Sequence, residues 1–183
     1  KLGDVIVACC EKVVRDHIIS INGIAELTDP NLPSGTDRIF AAIENHKDSI
    51  LGIKVRAVGP AVTIMGPKLI ELAREAAKAT GKRVMVHIGD PQYRVEPTLT
   101  KRLLPILQQG DIVTHMYTGA PGKVLDNAHR ILPEMLDARD REIVFDVGHG
   151  RFNFNFEVAE RLLEQGVIPR SISTDITTQG RSG

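Results

Sequence analysis

The feature that most restricts the folds open to this chain is a beat repeated along its length. A short β-branched run is followed by a polar or glycine-bearing loop and then by an amphipathic segment of helical period. The runs are "HIISING" (17–23), "GIKVRAV" (52–58), "RVMVHIG" (83–89), "DIVTHMY" (111–117), "EIVFDVG" (142–148) and "SISTDI" (171–176). Between them lie helix candidates at 36–50, 67–81, 97–110, 123–136 and 155–166. Three of these close on a glycine just past the last periodic residue, Gly81, Gly110 and Gly166, where helices stop. The pattern predicts six βα units, and strands separated by helices predict a parallel sheet.

An open, doubly wound parallel sheet calls for a glycine-rich phosphate turn after its first strand, and no G-x-G-x-x-G or Walker-type run occurs. A TIM-type (β/α)8 barrel instead gathers its chemistry at the carboxyl ends of the strands. Polar residues recur there in this sequence: Lys54, His87, His115, His149 and Asp175, at intervals of 33, 28, 34 and 26 residues. Those intervals match the roughly 30 residues of one βα unit. Because side chains alternate along a strand, Lys54 is expected to point away from Ile53 and Val55, and His87 away from Val86 and Ile88. The same reasoning sets His115 against Thr114 and Met116, and Asp175 against Thr174 and Ile176. The expected fold class is α/β, a TIM-type barrel with its branched aliphatics against the helices and its polar set on the axis.

Composition narrows the partners. Lysine plus arginine equals aspartate plus glutamate, 23 each, so no global basic field draws the chain to nucleic acid or to an anionic membrane. No apolar run approaches the ~18 residues of a membrane span. The first residues carry acidic groups and no small-residue cleavage site, and the two cysteines, Cys9 and Cys10, are adjacent, which suits neither a disulfide nor a metal spacing. They read as buried apolar side chains in a cytoplasmic protein acting on a small molecule.

Taken singly, each polar strand residue has a structural explanation: a hydrogen-bonded core histidine, a lysine reaching to the rim, an aspartate capping the next helix. His17, His46 and His129 keep that reading, since two lie on helix candidates and His17 opens its run at the amino end. The set is different, because one metal site accounts for it as a whole. Borderline divalent cations such as zinc accept imidazole and carboxylate, which suits His87, His115 and Asp175. Lysine becomes a good ligand when its neutral amine adds carbon dioxide, giving a carbamate anion whose two oxygens can bridge two cations.

With these residues in place, "GIKVR", "HIGDP", "THMYTG", "FDVGHGRFNF" and "STDITTQGRSG" resemble the metal-dependent amidohydrolase superfamily, specifically its dihydroorotase, hydantoinase and D-aminoacylase group and a subgroup labelled dihydroorotase-like or adenine-deaminase-like. The resemblance implies that residues 1–183 are one partial barrel domain, strands three to eight. It implies Lys54 as a carboxylated ligand ending strand four, His87 and His115 as ligands ending strands five and six, and Asp175 as ligand and proton carrier ending strand eight. The implied cofactors are divalent metal, two zinc ions, and the carbon dioxide-derived carbamate on Lys54. The implied reaction is hydrolysis of an amide or ester bond in a cyclic amide, N-acyl or O-acyl compound by a metal-activated hydroxide.

Three further residues join this expectation. His149 is a candidate to hydrogen-bond the substrate or its developing oxyanion, and a structural histidine in a glycine-rich turn is its alternative. Arg56 shares the inward face with Lys54 and could meet a substrate carboxylate, and Tyr117 shares a face with His115. The pattern departs from the family in one respect: strand one there carries an H-x-H pair, and this chain has none. Six units of about 30 residues fill the chain, whereas a complete barrel needs about 250. The chain therefore reads as part of a longer polypeptide, with open sheet edges that favour a homo-oligomer. Two other functions remain open: deamination of a purine-like base at the same metal site, and a truncated, non-catalytic binding subunit.

Overall fold

The computed structural model describes residues 6–175. The chain divides into two compact units, Lys1–Leu51 with Glu75–Lys82, and Gly52–Arg74 with Arg83–Gly183. Among the described residues no helix is long and apolar enough to cross a membrane.

The first unit opens with strand β1 (Ile6–Cys9), helix α1 (Lys12–Ser20), strand β2 (Ile24–Leu27) and helix α2 (Gly35–Asn45). β1 and β2 pair in parallel, Ile6 opposite Ile24 and Cys9 opposite Leu27. The Ser34 hydroxyl starts α2 by accepting the Asp37 amide at 3.2 Å, filling one of the donors that a first helical turn leaves open.

The expectation of a strand over 17–23 is overturned here. Those residues form the end of α1 and its exit. Asn22 takes φ 59 and the Gly23 amide bonds back to the Ile18 carbonyl at 2.8 Å. That pairing is a helix stop in which asparagine occupies the left-handed position. The branched residues Ile18, Ile19 and Ile21 suggest a strand only when the Asn-Gly stop goes unread, and the flanking strands are β1 and β2.

The second unit contains strand β3 (Gly52–Arg56), helix α3 (Pro60–Met65), the first half of helix α4 (Lys68–Thr80), strand β4 (Arg83–His87), helix α5 (Leu99–Leu103) continued by a 3-10 turn (Leu104–Ile106), strand β5 (Ile112–Thr114), helix α6 (Pro133–Asp140), strand β6 (Val144–Asp146) and helix α7 (Phe156–Glu164). Its sheet has the order β3-β4-β5-β6, all parallel. The register places Ile53, Val84 and their neighbours Val55, Val86, Val113 and Phe145 on one face, all at most 8% exposed. The opposite face carries two transverse rows, Lys54–Met85–Ile112–Val144 and, one step nearer the carboxyl ends, Arg56–His87–Thr114–Asp146. The helices contribute Ile70, Leu103, Leu104, Met135 and Leu162, each no more than 1% exposed. Apolar surface is thus removed from water on one face while charge collects on the other.

Two further expectations are corrected in this unit. The helix over 123–136 is replaced by a turn and then α6. The Asp126 carboxylate accepts the amides of Ala128 (2.8 Å) and Arg130 (2.9 Å), Leu125 and Ile131 form an antiparallel bridge, and Pro133 opens the helix. An aspartate that captures nearby backbone amides favours a turn over a helix interior. The run over 171–176 makes only a single parallel bridge, Ser171 with Asp146, and Ile176 lies outside the described residues. Backbone bonds from Val147 to Ser171, His149 to Ser173 and Gly150 to Thr174 still lay that segment alongside the end of β6.

Candidate functional site

Strand alternation delivers the first residues of the site. In β3, Ile53 and Val55 are buried while Lys54 and Arg56 are exposed on the other face. Arg56 is the register partner of His87, so Lys54, Arg56 and His87 share one side of the sheet.

His115 arrives differently. Thr114 already occupies the inward position opposite His87, so a continuing strand would turn the next side chain outward. The strand instead ends, and φ 68 at His115 swings its ring back. The face argument that paired Tyr117 with His115 therefore lapses at Thr114. Tyr117 is buried, with its ring edge-on to Phe154 at 5.5 Å, and that burial raises the pKa of its hydroxyl.

The two imidazoles meet. His115 Nε2 lies 3.0 Å from His87 Nδ1, with ring centroids 4.1 Å apart. The His115 Nδ1–H donates to the Gly148 carbonyl at 2.5 Å. A carbonyl can only accept, so this bond fixes the tautomer and leaves Nε2 bare. Burial, followed by the charges of His115, Arg56 and Lys54, pushes His87 down to about 3 from 6.5. Burial also lowers His115, against the pull of the Gly148 carbonyl and of Asp175. Both rings are neutral near pH 7, the form in which imidazole is a ligand.

Asp175 completes this corner. Its Oδ2 lies 3.7 Å from His115 Nε2, its side chain is 43% exposed, and its backbone also takes a left-handed φ, 44. His149 sits half-buried in the turn after β6, its Nδ1–H donating to the Gly150 carbonyl at 3.1 Å. That bond leaves Nε2 of the neutral ring as an acceptor, suited to a substrate N–H or O–H. Donating to an oxyanion would need the charged ring.

Sequence reasoning passed over Asp146, a buried and fully bonded carboxylate at this end of the sheet. It is 4% exposed and accepts from Ser171 Oγ at 2.6 Å, Thr114 Oγ1 at 2.6 Å and Ser173 Oγ at 2.8 Å. Burial alone would raise its pKa, but the three hydroxyls and His115 outweigh that and lower it. The signal was available, because Asp146 follows His115 by 31 residues, within the 26 to 34 spanned by the other intervals, while His149 lies beyond the strand. Asp90, fully buried just after β4, was also missed. It accepts the amides of Gln92 and Arg94 and the Arg94 guanidinium, and so shapes the loop beside His87.

In donor type the site fits a borderline divalent cation: two neutral imidazoles, one with its tautomer set by a backbone carbonyl, and a carboxylate. In number the donors fall short. Among the described residues no group of three or more His, Cys, Asp and Glu side chains is arranged to hold a metal ion.

No family model matches the chain. A deacetylase of Brucella anthropi is 33% identical over 159 residues, 87% of this chain and 38% of the deacetylase. A crystal structure of an adenine deaminase superposes with TM-score 0.73 at 27% identity, covering 98% of this chain and 53% of that one. A crystal structure of a dihydroorotase gives TM-score 0.62 at 31% identity, over 76% of this chain and 36% of that one. The chain belongs to the amidohydrolase superfamily. Its parallel sheet is a section of the TIM-type barrel of such amidohydrolases, and the chain spans well under half the length of the deacetylase relative.

Proposed function

We propose that the barrel to which this chain contributes hydrolyses an amide or ester bond of a small N-acyl, O-acyl or cyclic amide compound. The observation that carries this reading is the His87–His115 pair, two neutral rings with facing nitrogens and one tautomer fixed by Gly148. His87 and His115 would hold a divalent cation, zinc by donor type, with Asp175 and a carbamate on Lys54 beside them. Carbamate formation joins the neutral amine to carbon dioxide with loss of one proton. When bound, the cation would polarise the scissile carbonyl and lower the pKa of water at the site. Asp175, adjacent to His115 and partly open to solvent, would take the proton from the attacking water and pass it to the leaving group. Arg56, on the same face as Lys54, would orient a substrate carboxylate, and the bare Nε2 of His149 would accept a substrate hydrogen bond.

The deacetylase relative supports acyl hydrolysis, and the adenine deaminase likeness supports deamination as the second reading. Purified full-length protein, supplied with zinc and bicarbonate, distinguishes them. Acid released from N-acyl or O-acyl compounds is the expected result, whereas ammonia released from adenine would favour the second reading. Protein that takes up no divalent metal and turns over neither class would overturn both.

A further inference from the structure

We infer that Asp146 is a positioning residue, which locks the segment carrying Asp175 against the strand end carrying His115. Its three hydroxyl partners come from two places only. Thr114 immediately precedes His115, and Ser171 and Ser173 lie four and two residues before Asp175. One buried carboxylate thus ties together the backbones on either side of the 3.7 Å His115–Asp175 approach.

Three observations separate this role from simple packing. First, burying a carboxylate is costly and is tolerated only where its oxygens are satisfied, as here by hydroxyl donors. Second, His115 and Asp175 both hold left-handed backbone conformations, with φ 68 and 44. Non-glycine residues keep such conformations only when their surroundings over-determine them. Third, the described part of the segment, up to Asp175, forms no strand: it lies along β6 through one bridge and backbone bonds with Phe145, Val147, His149 and Gly150, and Asp146 adds side-chain anchors at Ser171 and Ser173. Both carboxylate oxygens are occupied and the residue is 4% exposed, so Asp146 acts through its partners and not on substrate.

The consequence for metal rests on the proposed function; the consequence for the segment does not. The test uses full-length protein carrying Asp146→Asn and the milder Ser173→Ala, with Asp111→Asn as a control. Asp111 is a buried carboxylate at the opposite end of the sheet, bonded to the Val84 and Gln108 amides and to Arg74. Hydrogen exchange is read at the His149 and Gly150 amides, and zinc affinity by chelator competition. The expected result is exchange at least about tenfold faster at those two amides in the Asp146 and Ser173 variants, with zinc binding weakened about 10- to 100-fold. Asp111→Asn should lower the melting temperature while leaving both readouts unchanged. Wild-type exchange at His149 and Gly150 in Ser173→Ala and in folded Asp146→Asn would overturn the inference, as would unchanged zinc affinity in a variant that had lost that protection. Wild-type protein that binds no metal would sink the functional reading instead, and the exchange result would still decide whether Asp146 fixes the segment.

Discussion

His115 is held at φ 68, a conformation that costs an L-residue roughly 1–2 kcal/mol, and the surrounding contacts show why it persists. Its Nδ1–H is anchored on Gly148, and Gly148 has no room for a side chain. A Cβ there would lie 2.5 Å from Thr114 Oγ1, 2.8 Å from His115 Nδ1 and 3.1 Å from Asp146 Oδ2, at a φ of 46 that side chains disfavour. Gly148→Ala should therefore destabilise the fold by about 2 kcal/mol or more and also weaken metal binding. Chemical denaturation and zinc titration would check both, and an alanine variant of wild-type stability would mean that the turn can yield. At Lys54 the expectation is chemical. Lys54→Ala should lose most activity and metal, with partial recovery in short carboxylic acids that can stand in for the carbamate. Undiminished rate and metal content in that variant would remove Lys54 from the site.

At the scale of elements, α7 is written locally in the sequence. The Asn155 side chain accepts the Val158 amide at 3.1 Å, and the helix ends at Gly166 with φ 71, where the Val167 amide returns to the Leu162 carbonyl. Asn155→Ala should cost about 1 kcal/mol, measurable as a fall in the denaturation midpoint without a change in its slope. Where the helical period was clear, as in α2, α4 and α7, sequence reading found the element. It failed where local turn chemistry overrode the period. Asp126 turned a helical pattern into a bridged turn, and Asn22 ended a helix inside what looked like a strand. Both are local signals, outvoted by hydrophobic periodicity.

Across the whole molecule, the buried neutral histidines make a pH prediction. His87 is held near 3 when folded and titrates near 6.5 when unfolded, so between those values the unfolded chain binds more protons. The stability that depends on its neutrality is complete above about pH 6.5 and is lost as pH falls towards about 3. His115, lowered by burial, acts in the same direction. Asp146 and Asp90, held below the usual carboxylate range once their hydrogen bonds outweigh burial, add a further loss at more acid pH. Metal-free protein should lose on the order of a few kcal/mol between pH 7.5 and 4.5 in denaturant titrations, and His87→Gln should flatten that slope. A slope unchanged by the substitution would place the sensitivity elsewhere.

The sequence by itself determined the βα alternation, the buried aliphatic face, and the placing of Lys54, Arg56 and His87 on the other side, because these follow from a two-residue period that every strand obeys. It also marked His115 and Asp175 by their spacing. Only the tertiary structure decided how those two reach the site. Each takes a left-handed backbone conformation, held by the Gly148 carbonyl in one case and by the segment fastened to Asp146 in the other. Those contacts join residues 25 to 33 positions apart, and a local period carries no information about which distant hydroxyl or carbonyl will be waiting where a strand stops.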